Sequence, residues 1–206
     1  ITSSFDHIFW ETVGSPFSIK RAWDSIIASV PHVGWANMVW HPSRIPKHAF
    51  CLWMAILDAL KTLDKLSKLA IVRSACCLFN CGDNESVEHL FFACPYTQGI
   101  WIEVLRKCNI NRQILPWAEE ILWLAEHTNG NKPPLVFRKL AISATVYHIW
   151  IERNRRSFKN SFLPPEAIIH KIQSDVAAKM TGHKSFLDHS DEHNHSLGVN
   201  WGIVGC

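Results

Sequence analysis

The amino-acid sequence predicts an all-α fold, and three observations carry that expectation. Apolar residues recur at helical spacing in one segment after another. Strand-like alternation is scarce, and prolines and glycines mark the ends of the periodic segments. With 206 residues, 48% of them hydrophobic and 10 tryptophans and 11 phenylalanines among them, the chain has the apolar surface to build a real core. Pervasively disordered chains lack that surface.

Taken in order, Ser18 is a good N-cap, and Ile19, Ala22, Trp23, Ile26 and Ile27 form one stripe behind it. This first helix is expected to bury that stripe and to end at Pro31 and Gly34. Trp35 and Trp40 flank a short segment expected to be extended. Pro46 suits the first turn of a helix over about 48–60, where Phe50, Leu52, Trp53, Met54, Ile56 and Leu57 leave almost no polar side. A helix apolar all round is expected at the centre of a bundle. Thr62 caps a short helix bearing Leu63, Leu66 and Leu69.

Further on, Ile100, Trp101, Val104, Leu105 and Cys108 mark one helical face. Pro116 opens a helix through Trp117, Ile121 and Leu124, which Asn129-Gly130 stops. A longer helix over about 135–158 places Leu140, Ala144, Tyr147, His148 and Ile151 near one side, with His148 expected as a core histidine bonded to backbone. Pro164-Pro165 starts the last convincing helix, with Ile168, Ile169, Ile172 and Val176 facing inward. From about Thr181 the pattern dissolves. His183, His189, His193 and His195, mixed with Asp188, Asp191 and Glu192, are expected in a polar disordered end rather than a metal site.

Composition excludes several classes. A net charge of +3 is too small to establish nucleic-acid binding without clustering on one face. No apolar run is long enough to span a membrane, and residues 1–15 lack the pattern of a signal peptide. A start at Ile1 rather than Met suggests a piece of something longer. The seven cysteines are odd in number and unevenly spaced, four of them between Cys76 and Cys94, which suits a reducing compartment, nuclear or cytoplasmic, better than a secreted disulfide framework. No Tyr-x-Asp-Asp segment, carboxylate cluster, glycine-rich phosphate loop or Gly-x-Ser-x-Gly occurs, so neither catalysis nor a small-molecule substrate is expected.

The chemistry concentrates in ACCLFNCGDNESVEHLFFACPY. Cys77, Cys81, His89 and Cys94 are separated by three, seven and four residues, a spacing that lets two elements converge on one tetrahedral zinc. Cys76 can replace Cys77 as the first ligand, and four unliganded side chains are the competing reading. Three thiolates and one imidazole leave no open position, so a single structural zinc is expected. On an unbroken helix His89 and Cys94 would point about 140° apart. Pro95 disfavours helix at Cys94, so the helix is expected to end near Ala93 and swing Cys94 back.

An ordered series surrounds this cluster: FSIKRAW at 17–23, VGWANMVW at 33–40, IPKHAFCLWMAILDALKTLDKL at 45–66, EHLFFACPY at 88–96 and Trp101. With these, the sequence resembles the zinc-binding domain found downstream of the reverse transcriptase in plant non-LTR (LINE-type) retrotransposons. IWIERNRRSF at 149–158 is similar to a stretch that often follows that domain. The family usually has two residues between its first two cysteines; here Asn80 stands at the second cysteine's place and Cys81 follows. The resemblance implies a non-catalytic zinc domain, placed at 1–110, with a helical connector over 111–180; the composition beyond it predicts a disordered tail over 181–206. It also implies element RNA or DNA as partner, for which Arg138, Lys139, Arg153, Arg155, Arg156 and Lys159 are the candidate phosphate contacts. The alternatives are a solvated helix end for these cations, and a helical interaction or structural domain, or a decayed element fragment, without a nucleic-acid role.

Overall fold

In the computed structural model, residues 17–26, 33–181 and 192–203 are described, those of 192–194 by backbone alone. Their regular structure is helical; the only ladder pairing among them is one antiparallel bridge, Cys76 to Asn84. Backbone contacts divide the chain into Ile1–Val33 and Gly34–Cys206.

In the first unit, α1 spans Ile19–Ile26. Its expected apolar stripe is present, but Ile19, Trp23 and Ile26 are exposed rather than buried. The end of the stripe at Ile27 and the stop at Pro31 lie outside the described residues.

In the second unit the order is α2 (Ala36–Val39), α3 (Pro46–Ile56), α4 (Leu63–Lys68), a π-turn (His89–Ala93), α5 (Pro95–Lys107), α6 (Trp117–His127), α7 (Pro133–Lys159), α8 (Pro165–Met180) and α9 (Glu192–Asn200). Prolines occupy the first turn of α3, α5, α7 and α8, where a missing N–H costs nothing. The segment between Trp35 and Trp40 is helical, not extended: Met38 and Val39 are both buried, one position apart, which a short helix at a packing boundary allows.

The central helix is α7, not α3. Phe50 and Leu57 leave α3 half-exposed on one side, whereas every residue of α7 from Lys139 to Val146 is buried. Small residues make this possible, since Ala141, Ser143 and Ala144 let neighbours approach closely. The buried hydroxyls of Ser143 and Thr145 donate back to the Leu140 and Ala141 carbonyls, so no polar group is stranded. Around α7 pack α3 and α8, with α5 against both α7 and α8. The segment expected as a connector thus supplies the middle of the core.

The expected disordered tail needs correction over its described part. Glu192–Asn200 is a helix packed on α7, with Leu197 and Trp201 buried and Trp201 stacked on Phe137 at 5.8 Å. Two apolar anchors in a stretch of His, Asn and Gly do not make a visible period. The histidines His183 and His189 lie outside the described residues.

Candidate metal centre

The cluster is built by a tight hairpin and a π-turn. In the hairpin, the Cys77 N–H donates to the Asp83 carbonyl at 2.8 Å and the Glu85 N–H to the Ala75 carbonyl at 2.7 Å. The reversal between them needs left-handed backbone at Asn80 (φ 59°) and Gly82 (φ 94°). Asn is one of the few side chains that enter that region easily, and Gly enters it freely. With Asn80 making the turn, the next residue, Cys81, is the one delivered to the site.

The second pair comes from the π-turn. The Cys94 N–H donates to the His89 carbonyl at 2.8 Å, an i to i+5 bond. One turn closed over five residues brings the first and sixth side chains onto the same side. The expected cause was a helix end that swings Cys94 back; the actual cause is this widened turn, and Cys94 is extended (ψ 129°) as Pro95 requires.

Cys77, Cys81, His89 and Cys94 bring their four ligand atoms within 4.8 Å of one another. Cys77 Sγ stands 3.9 Å from Cys94 Sγ, and Cys81 Sγ 3.1 Å from His89 Nε2. A tetrahedral zinc with thiolate and imidazole bonds has ligand–ligand edges of about 3.5–3.8 Å, so the residues present fit that ion. Cys76 is exposed and outside the group, which selects Cys77 as the first ligand. His89 turns Nδ1 toward the exposed carboxylate of Asp83, 4.0 Å from Oδ2 and beyond hydrogen-bond reach. The hydrogen bond from Cys77 holds the Cys94 thiol well below its ordinary value, and giving that bond, with burial, pushes Cys77 up. A bound cation would displace the thiol protons that remain. Burial raises Cys51 and Cys108 to about 12, which marks them as inert core thiols.

Residues 17–101 match the family model described as zinc-binding in reverse transcriptase. All four candidate ligands lie inside the matched segment. No curated protein and no solved structure shows significant similarity to the chain. The stretch at 149–158 lies beyond the match, and the structure shows what it does.

Arg153 is buried and forms an ion pair with buried Glu85 at 2.9 Å. Glu85 in turn accepts the Leu63 N–H at 2.8 Å and so caps α4, a task expected of Thr62, whose hydroxyl bonds Asp64 instead. Arg156 donates to the Leu78 carbonyl at 3.1 Å, pairs with Glu152, and lies 4.6 Å from the rings of both Phe79 and Tyr96. These side chains of α7 therefore grip the hairpin that carries Cys77 and Cys81. Lys139 is buried and donates to the Gly130 carbonyl; Arg138 donates to the His127 carbonyl. Arg155 is partly exposed beside Glu152, and Lys159 is exposed. The six cations are not gathered into one solvent-facing patch.

Sequence reasoning did not find Glu85 as a buried hub, because an acidic residue before a helix resembles an ordinary N-terminal charge. It also assigned His148 a backbone partner. The partner is the Asp175 carboxylate, at 2.8 Å.

Proposed function

We propose that this chain is a non-catalytic, zinc-stabilised helical domain working beside a reverse transcriptase of a LINE-type plant retroelement, where it helps hold element RNA or DNA. The observation that carries the reading is the convergence of three thiols and one imidazole inside the segment matched by the zinc-binding family model. A closed Cys3His set supplies folding energy and leaves no position for substrate. Of the candidate phosphate contacts, Arg155 and Lys159 retain solvent exposure suited to that role, whereas Arg153, Arg156 and Lys139 are committed to the fold.

That commitment of cations favours a second reading, a helical interaction domain without a nucleic-acid role. The test has two arms. Purified protein should carry one tightly held zinc, and its cobalt-substituted form should show thiolate-to-metal charge transfer that Cys81→Ser and His89→Ala both abolish; a wild type without thiolate-bound metal sinks the site. Single-stranded RNA should then bind with an affinity that falls as salt rises and that drops further in Arg155→Gln/Lys159→Gln. No binding at low salt would leave the interaction domain standing.

A further inference from the structure

Three helices of the core bring a second set of ligating side chains together, away from the cysteines. His48 on α3, His148 on α7 and Asp175 on α8 place one ligand atom each within 4.8 Å of the others. Both imidazoles turn Nε2 toward the same carboxylate oxygen, His148 at 2.8 Å and His48 at 3.2 Å from Asp175 Oδ2. One acceptor oxygen serves two rings, and the sharing is unequal. His148 makes a hydrogen bond, while among the described residues neither ring nitrogen of His48 makes a well-formed one, its Nε2 having only the 3.2 Å approach to Asp175, although the side chain is fully buried. A buried polar atom left without a partner calls for an explanation.

A shared cation supplies one. Two imidazole nitrogens and a carboxylate oxygen about a zinc-like ion would stand about 3.3–3.5 Å apart. The Nε2–Oδ2 separations of 3.2 and 2.8 Å are shorter, so His148 would exchange its hydrogen bond for the ion with a shift of about half an ångström. His148 and Asp175 also border a cleft of about 310 Å³, which Lys47, Arg155 and Lys171 line as well. The three ligands are thus closed on the core side and open on the cleft side. We propose that His48, His148 and Asp175 form a second metal site, for a divalent first-row ion of the zinc class, with its fourth position open to water or a small anion from the cleft.

The chemistry of the surroundings agrees. Burial lowers the pKa of both histidines, which keeps the imidazoles neutral and able to ligate. Lys47 and Lys171 act against a bound cation, so this site is weaker than the thiolate centre and favours an anion in the open position. Nothing in it depends on the cysteines, so the two sites can fail separately.

The experiment is metal titration of the full chain followed by native mass spectrometry, with cobalt spectra in parallel. Wild type should take up a second ion at micromolar free zinc, adding cobalt absorption without a thiolate band. Asp175→Asn, which keeps the side chain's shape, should lose that ion and retain the first; His148→Ala should do the same, with helix content by circular dichroism showing that both variants fold. Cys81→Ser should lose the thiolate band and keep the second ion. A wild type that binds only one ion under these conditions, or a second ion that persists in Asp175→Asn, overturns the proposal.

Discussion

At the scale of single residues, His41 makes a sharp test. It is buried between α2 and α3, and burial first, then the charges of Lys139, Arg44 and Lys179, lower its pKa from 6.5 to about 4. Because the folded state resists the proton that the unfolded chain accepts, stability is full above pH 6.5 and is lost as pH falls toward 4. The loss attributable to this residue is about 1–3 kcal/mol. Urea unfolding of wild type and His41→Gln at matched excess zinc should show a shallower pH slope in the variant; parallel slopes would refute the assignment. Legibility at this scale was uneven. Cys77, Cys81, His89 and Cys94 were visible because zinc restricts both residue type and spacing. Asp175 was not, since a lone Asp on an amphipathic helix looks like any solvated charge until three helices are assembled.

At the scale of elements, the hairpin, α4 and α7 are joined through one ion pair. Glu85 is wholly buried, caps α4 and meets Arg153, which also lies over the Trp150 ring at 5.0 Å. Removing one partner of a buried pair strands the other charge, so Arg153→Met should cost about 3–5 kcal/mol in denaturant unfolding. Pairing it with Glu85→Gln should recover part of that loss, because Gln still accepts the Leu63 N–H without needing a counter-charge. An Arg153→Met cost below about 1 kcal/mol would mean that the pair is ornamental, as exposed pairs are. Most helices were legible from periodicity and proline placement, yet their ranking was not. The apolar α3 looked central, whereas α7 holds the centre because small residues and self-satisfied hydroxyls tolerate contact on every side. The π-turn was illegible for a different reason: helical reasoning at fixed pitch has no place for a turn of five residues.

At the scale of the whole second unit, the question is how much of the fold the metal holds. In isolated fingers, zinc supplies apparent binding free energy of about 10–16 kcal/mol and folding fails without it. Here the π-turn also buries Leu90, Phe91 and Phe92, and Phe92 meets Trp101 and Trp117 at 5.4 and 5.2 Å. Those contacts tie the centre to α5 and α6 independently of any ion, while α7, α8 and the Phe137–Trp201 stack lie on different residues altogether. Chelation should therefore loosen the hairpin over residues 75–85 and leave the π-turn and the helical core folded. Far-ultraviolet circular dichroism should keep most of its helical signal, and amide exchange should accelerate in the hairpin well before it does in α7. Since Arg153 and Arg156 grip that hairpin from α7, the first α7 amides to lose protection should be those near residues 153–156, at its far end. Cooperative loss of the entire helical signal on chelation would instead make the zinc the keystone of the fold, and the extensive apolar core insufficient without it.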